Sequence, residues 1–191
     1  MTTWTSGYVA DIGYTYGFYR ELTPALLSFV ALSKGQQGPE VGAGLTYCEL
    51  GCGQGFSMNV LAAGNPEIQF HATDFNPAQV AGARRLAAEA GLSNINFYDH
   101  SFADFAAAPK LPESFDIIAL HGIYSWISTE NRQAIIDFID KKAEGRGAGL
   151  YLLQCPSWLG FWHAPAPAFC GSGGPGRGPD WAARREGSQL C

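Results

Sequence analysis

The sequence lacks the marks of a membrane, secreted or nucleic-acid-binding protein. No apolar run reaches the length of about 18 residues that a membrane span needs, and no basic segment followed by an apolar one opens the chain as in a secretory leader. Positive charge is not in excess, because 12 Lys and Arg against 17 Asp and Glu give a formal net charge of -5. Non-specific binding to nucleic acid needs clustered positive charge. We therefore expect a soluble, cytoplasmic protein that binds neither membranes nor nucleic acid.

Metal-binding patterns are also missing. The five cysteines lie at positions 48, 52, 155, 170 and 191 and form no Cys-x-x-Cys pair, and the four histidines are scattered at positions 71, 100, 121 and 163. Structural zinc sites need such ligands at close spacing, and the odd cysteine count does not suit a disulfide framework. The sequence therefore predicts no metal site, and Cys48 and Cys52 are expected to act as small apolar residues.

The pattern that is present is an alternation of strands and helices. With 191 residues, 47% of them apolar, the chain is long enough for one buried core. Short apolar runs predict strands, and apolar residues at helical spacing predict helices. Alternation of this kind is typical of an α/β fold with a doubly wound parallel sheet. The predicted strands are 46–50, 68–74, 95–98 and 115–120, and the predicted helices are 21–33, 57–63, 77–90 and 129–142.

The turn after the first predicted strand reads Glu49-Leu-Gly-Cys-Gly-Gln-Gly55. Glycines permit a tight turn and a close approach of backbone to ligand, and the following helix points its free N–H groups into the same crevice. A dinucleotide fingerprint needs a third glycine where Phe56 stands, and a phosphate-binding loop needs a Lys that is absent. Asp74 ends the next strand, where a carboxylate can accept both hydroxyls of a ribose. The alternative is an ordinary turn followed by a surface Asp.

With Glu-x-Gly-x-Gly-x-Gly and an acidic strand end in this order, the chain resembles the class I S-adenosylmethionine (SAM)-dependent methyltransferases. The resemblance implies a Rossmann-like core, with SAM as the cofactor. It also implies that Gly51, Gly53 and Gly55 contact the methionine part of SAM, while Glu49 helps to organise the turn.

The same resemblance assigns residues at the other strand ends. It implies that Asp74 holds the ribose and that Phe75 packs near the adenine. Ser101 and Phe102 stand where the family contacts the adenine amine and ring, although many members have Asp in place of Ser101. The segment 120–122, which includes His121, is implied to line the cofactor near its sulfonium.

A narrower resemblance rests on the segment 115–126, which reads FDIIALHGIYSW. It is similar to a segment of methyltransferases that carry a regulatory domain, some of which methylate protein lysines. The Tyr-rich arm that includes Tyr16 and Tyr19 also matches what precedes the core in that group. The resemblance implies that this arm folds over SAM, and plain packing of the two tyrosines is the alternative. The acceptor that it suggests is a protein lysine.

Catalysis in this class depends mostly on positioning, because the sulfonium is already a strong electrophile. An amine acceptor must also arrive deprotonated, which a nearby base assists. His121 is either that base or a lining residue, and the sequence identifies no catalytic residue. Two other functions stay open, namely a non-catalytic SAM-binding or interaction remnant and an NAD-dependent oxidoreductase.

The character of the chain changes after residue 142, which divides it into an arm and helix (1–35), a core (36–142) and an irregular tail (143–191). Reading each codon of 143–159 one base later permits LKAGGLVYISYNALPGW, which resembles the family's continuation. We therefore hypothesise that the tail is out of frame, against the alternative of a divergent but genuine segment. The fold would then be incomplete. The fourth strand would be an exposed apolar edge that favours self-association.

Overall fold

The computed structural model describes residues 16–124, 127–143, 150–155 and 158–163, and side chains up to residue 142. A short 3-10 turn, Arg20–Leu22, comes first, followed by alternating helices and strands. The helices are α1 (Pro24–Ser33), α2 (Phe56–Gly64), α3 (Pro77–Glu89), α4 (Phe102–Ala106) and α5 (Thr129–Ala143). The strands are β1 (Thr46–Leu50), β2 (Gln69–Thr73), β3 (Ile95–Tyr98), β4 (Ile117–His121), β5 (Leu150–Cys155) and β6 (Trp158–His163).

These strands form one sheet in the order β3-β2-β1-β4-β5-β6. The pairs from β3 to β5 are parallel, and β6 runs antiparallel to β5. The predicted doubly wound parallel sheet is thereby confirmed. Its strand order reverses between β1 and β4, and ligands of such sheets bind at this point, outside the carboxyl ends of the strands.

The prediction that β4 is an exposed edge is wrong. β5 pairs with β4 in parallel, from Ile117 opposite Leu150 to His121 opposite Gln154. Four of the six residues in Leu150–Cys155 are Leu or Tyr, and a short apolar run of this kind suits a strand inside a parallel sheet. The glycine-rich surroundings hid that signal. The expected self-association rested on an exposed β4 and loses that basis.

Two helices differ from the prediction for local reasons. The helix expected from residue 21 begins at Pro24, because the residue before a proline is disfavoured in helical conformation and Thr23 is extended. Helix α4 was not predicted, since it has only five residues. Its start is fixed by Ser101, whose hydroxyl accepts a hydrogen bond from the Asp104 N–H.

The core lies in two apolar clusters. One includes residues of α1, α2 and α3, among them Leu27, Met58 and Val80. The other joins α4 and α5 and contains the stacked rings of Phe105 and Phe138. Strands β1 and β4 contribute to both clusters, so the residues that follow these strands are held on a packed base. Among the described helices, none is long and apolar enough to cross a membrane.

Candidate functional site

The glycine turn joins β1 to α2 and needs glycine at all three positions. Gly51, Gly53 and Gly55 have φ values of 77°, 54° and 65°, in the left-handed region that side chains disfavour. A Cβ on Gly51 would lie 2.8 Å from the side chain of Ile123. The N–H groups of Gly51 and Cys52 both donate to the Thr73 carbonyl, at 2.8 and 3.0 Å. The turn is therefore fixed against the end of β2.

Asp74 follows β2 and is connected directly to the turn. One carboxylate oxygen accepts the N–H of Gly53 at 2.9 Å, and the other accepts the N–H of Asn76 at 2.9 Å. Burial raises the pKa of Asp74, while these two hydrogen bonds lower it. A carboxylate offers about four acceptor positions. The side chain is thus held in place with acceptor capacity left for hydroxyl donors.

Glu49 lies two residues before the turn and is only 3% exposed. Its Oε2 atom is buried without a hydrogen-bond partner among the residues that the structure describes. Burial, and second the nearby Asp74 carboxylate, raise the pKa of Glu49 to about 8. An unsatisfied buried carboxyl oxygen beside the crevice is an acceptor for a bound ligand.

The raised pKa of Glu49 predicts a pH-dependent stability. The folded protein binds this proton more tightly than the unfolded chain, whose value is near 4.5. The stabilisation is therefore complete below pH 4.5 and is lost as the pH rises towards 8. The Glu49→Gln variant has no titrating group at this position. The difference in free energy of unfolding, variant minus wild type, should therefore rise by about 1 kcal/mol or more from pH 5 to pH 8. Urea unfolding of both proteins at the two pH values measures this rise, and the same difference at pH 5 and at pH 8 would contradict the prediction.

The end of β3 is more enclosed than the sequence suggested. The Ser101 hydroxyl caps α4 and donates to the Asp104 carboxylate at 2.7 Å. Phe102 is buried in the second core cluster, so its ring packs in the core. Phe75 is half-buried beside Asp74. The adenine contacts assigned to these three residues stay predictions, and a contact from Phe102 would use its backbone.

The end of β4 carries His121, which packs against the N-terminal segment. Its ring lies 4.0 Å from the ring of Tyr19, measured between centroids. Its Nε2 atom is 3.3 Å from Oε1 of Glu21, close enough for an ion pair when the imidazole is protonated. Burial lowers the pKa of His121, and Glu21 acts against that shift.

The arm, residues 16–22, lies across the start of α2. The Tyr19 N–H donates to the Ser57 hydroxyl at 2.9 Å, and that hydroxyl donates to the Gly17 carbonyl at 3.0 Å. Tyr16 is 60% exposed and packs on Phe56, with ring centroids 4.6 Å apart. The first turn of α2 thus holds the arm next to the glycine turn, with both hydrogen bonds made by Ser57.

Ser57→Ala is expected to release this arm. Two hydrogen bonds worth about 1 kcal/mol each are lost, so the open arm becomes roughly 30-fold more populated and trypsin reaches Arg20, an exposed residue in the arm, correspondingly faster. Cleavage after Arg20 is followed by mass spectrometry under limited proteolysis. Ser28→Ala is the matched control, because the Ser28 hydroxyl binds the Pro39 carbonyl outside the arm. Equal cleavage of wild type and Ser57→Ala would show that Ser57 does not hold the arm.

The sheet brings most of the predicted residues to one edge. Leu50 lies opposite both Thr73 and Leu120, so the turn, Asp74 and His121 lie at the ends of three neighbouring strands. Sequence reasoning missed Ser57 and Glu21. A serine in the first turn of a helix and an acidic residue in an arm are too common to be singled out without their long-range contacts.

Known proteins are similar to this chain in sequence. A family model described as a methyltransferase domain matches residues 42–142. The chain is 48% identical over 145 residues to the uncharacterized protein sll1526 of Synechocystis sp.. The alignment covers 76% of this chain and 28% of that protein. It is 28% identical over 141 residues to the uncharacterized protein RP789 of Rickettsia prowazekii, with 73% and 25% covered.

Solved structures agree on the fold. PKMT2 from Rickettsia typhi in complex with AdoHcy superposes with a TM-score of 0.65 at 22% identity, covering 76% of this chain and 28% of that one. The chain thus spans about a quarter of the length of these three proteins. Because the family match covers more than half of the chain, we conclude that this chain belongs to the methyltransferase domain family and carries a class I SAM-binding methyltransferase core.

Proposed function

We propose that this core binds SAM across the ends of β2, β1 and β4 and transfers its methyl group to a protein lysine. The observation that supports the binding mode most strongly is the Asp74 carboxylate, which is held by the Gly53 N–H at 2.9 Å. A single carboxylate thereby connects the acidic strand end to the glycine turn. A ribose and the chain attached to it need these two features side by side.

The residues fit SAM on grounds of hydrogen bonding. Asp74 has acceptor positions left for two ribose hydroxyls. The α2 helix has no side-chain cap at its start, so its first N–H groups attract a carboxylate such as that of the methionine part. The unpartnered Oε2 of Glu49 suits the neighbouring ammonium group, whose positive charge favours the ionised form of Glu49. The ribose hydroxyls and the two charged groups of the methionine part thus each have a partner in the crevice.

The proposed chemistry asks for alignment from the protein. SAM supplies a methyl group on a positively charged sulfur, which any well-placed nucleophile can take. The arm, residues 16–22, covers the crevice and limits the access of water. His121 lies at the β4 end, where burial lowers its pKa. A neutral imidazole there can accept the proton that a lysine ammonium must lose.

Protein lysine as the acceptor rests on the segment 115–126. Its resemblance is to methyltransferases with a regulatory domain, and the described part of that segment forms β4 and the half-buried Tyr124. Arg132 of α5 holds Tyr124 in place by donating to its carbonyl at 3.0 Å and by lying over its ring. An aromatic residue held in place shortly after His121 is suited to form one wall of a channel that admits the long, narrow side chain of a lysine.

Methyl transfer from labelled SAM tests the proposal. The purified chain is incubated with a bacterial protein lysate and labelled SAM, and the protein is hydrolysed to amino acids. Label in methyl-lysine, absent with Asp74→Ala, is the expected result. Label in another residue, in RNA or in small molecules would refute the lysine assignment. SAM binding without any transfer would favour the alternative, a non-catalytic SAM-binding remnant.

The out-of-frame origin of residues 143–191 also stays a proposal. It is supported by the family match, which ends at residue 142, where the predicted core also ends. Sequencing the coding DNA tests it. A one-base shift near codon 143 that restores the family's continuation is expected, and the absence of any such alternative would refute the idea.

A further inference from the structure

The Glu49 side chain lies on the face of the sheet that α1, α2 and α3 cover. Side chains alternate along a strand, so Glu49 shares this face with Tyr47, which belongs to the first core cluster. The residues opposite Glu49 on the adjoining strands are Ala72 of β2 and Ala119 of β4. Both alanines are fully buried, and an alanine side chain has no polar atom. The carboxyl group of Glu49 therefore gains no side-chain hydrogen bond from the residues beside it in the sheet.

The titratable groups whose charge acts on Glu49 supply no positive charge. They are Asp74 after β2, Cys52 in the glycine turn, and Tyr47 and Cys48 of β1. Asp74 repels a negative charge on Glu49 when it is ionised. Burial raises the pKa of the two thiols and of the Tyr47 hydroxyl, so these three groups are neutral at pH 7.

The helices and the arm on this face bring no cation to the carboxyl group either. Helices α1 and α2 contain no charged residue, and the two arginines of α3 pair with Asp99 and Glu89 in exposed positions. Arg20 of the arm is exposed. At the end of β4, His121 lies 3.3 Å from Glu21, and burial lowers the pKa of His121. Among the residues that the structure describes, none forms an ion pair with Glu49.

A carboxyl group in such a place keeps its proton. Glu49 is 3% exposed, and its Oε2 atom has no hydrogen-bond partner in the described part of the chain. Ionisation would therefore create a buried charge without compensation, which is unfavourable. Burial first, and the Asp74 carboxylate second, raise the pKa of Glu49 to about 8. Roughly nine in ten molecules of the empty protein then carry this proton at pH 7.

The ammonium group of SAM changes this balance. In the proposed binding mode it lies against the Oε2 atom of Glu49, and an opposite charge at that distance favours the ionised carboxylate. The ammonium group is itself mostly charged at pH 7, so it takes up little of a proton when it binds. The proton that leaves Glu49 therefore passes to the solvent.

We propose that binding of SAM releases the Glu49 proton to solvent, so that the affinity of this site for its cofactor rises with pH. The O–H bond of the carboxyl group breaks, its electron pair stays on the carboxylate, and a buffer base takes up the proton. The product S-adenosylhomocysteine (SAH) carries the same ammonium group and releases the same proton. Acidification then favours the empty site. This inference rests on the proposed function.

Calorimetric titration of the whole chain with SAH at pH 7 counts the proton. SAH has a neutral sulfur, so the charge of the sulfonium does not contribute. The titration is run in phosphate and in Tris, whose heats of ionisation differ, and the difference in measured heat gives the number of protons released. We expect nearly one proton for each SAH bound. The affinity should also rise about tenfold from pH 6 to pH 7, as follows from the linkage of binding to one ionisation.

Two comparisons assign the proton to Glu49 and to the ammonium group. Glu49→Gln keeps the shape of the side chain but has no proton to release, so its SAH titration should show no release and no such rise in affinity with pH. The ligand 5′-methylthioadenosine keeps the adenine and the ribose and lacks the ammonium group, so it should release no proton from the wild type. Glu67→Gln, which changes an exposed carboxylate before β2, should behave as the wild type does.

The outcomes separate this inference from the proposed function. SAH binding without proton release overturns the inference, and so does the same release from Glu49→Gln or with 5′-methylthioadenosine. If Glu49→Gln fails to bind SAH, the comparison of the two ligands on the wild type decides alone. The proposed function stands in each of these cases. A wild type that binds neither SAM nor SAH would instead refute the proposed function itself.

Discussion

Gly55→Ala is expected to destabilise the protein by about 3 kcal/mol, the largest effect on stability among the changes considered for this site. Gly55 has a φ of 65°, which costs a side-chain-bearing residue roughly 1–2 kcal/mol. The new Cβ would also lie 2.5 Å from Cβ of Ala83 and 2.8 Å from the ring of Phe97. Overpacking of this kind costs about 1–3 kcal/mol. Urea unfolding measures the sum of the two costs.

Gly91→Ala separates the two costs. Gly91 has nearly the same φ, 67°, but nothing lies within 4 Å of the position that a Cβ would take. It should therefore show only the backbone cost, roughly 1–2 kcal/mol. If the two variants were equally stable, the close packing of Gly55 against α3 and β3 would not exist in solution.

Asp74→Ala is expected to abolish binding of both SAM and SAH, with a loss of at least about 100-fold. Two charge-assisted hydrogen bonds to the ribose are removed, each worth about 1.5–3 kcal/mol. The turn also loses the acceptor for the Gly53 N–H at 2.9 Å. Because both ligands carry the same ribose, their affinities should fall together. Calorimetry with each ligand measures the loss.

Asp99→Ala is the matched control for Asp74→Ala. Asp99 also follows a strand of the sheet, but it is 40% exposed and paired with Arg84 at 2.8 Å. Its removal should leave both affinities unchanged. Thermal unfolding must show that Asp74→Ala remains folded. A folded Asp74→Ala that binds SAM as the wild type does would contradict the assignment of this strand end.

Much of the fold could be predicted because its signals are local. Apolar runs marked β1 to β4, and the helix after Asn76 has a proline at its start and Gly91 after its end. The strand β5 was missed for the opposite reason. Its apolar run is short and follows a glycine-rich stretch that hid the signal, and its pairing with β4 is a tertiary contact that the sequence pattern does not show.

The candidate site divides in the same way. Its glycines and Asp74 follow fixed spacings within one βαβ unit, so the motif alone located them. The contact of Ser57 with Tyr19 joins residues 38 positions apart in the sequence. Glu21 and His121 are also in contact, although most of the core sequence lies between them. Neither pair shows a spacing rule. The capping role of Ser101 was not predicted either. The resemblance assigned Ser101 to a contact with the adenine, and α4, the helix that Ser101 caps, has only five residues.

The central claim is that SAM binds at the crevice formed by the glycine turn and Asp74. A crystal structure of the chain with SAH tests it most directly. We predict that the ribose hydroxyls lie within hydrogen-bond distance of the Asp74 carboxylate, with the sulfur directed towards His121 and Glu21. SAH bound elsewhere, or bound here with its ribose away from Asp74, would contradict the account.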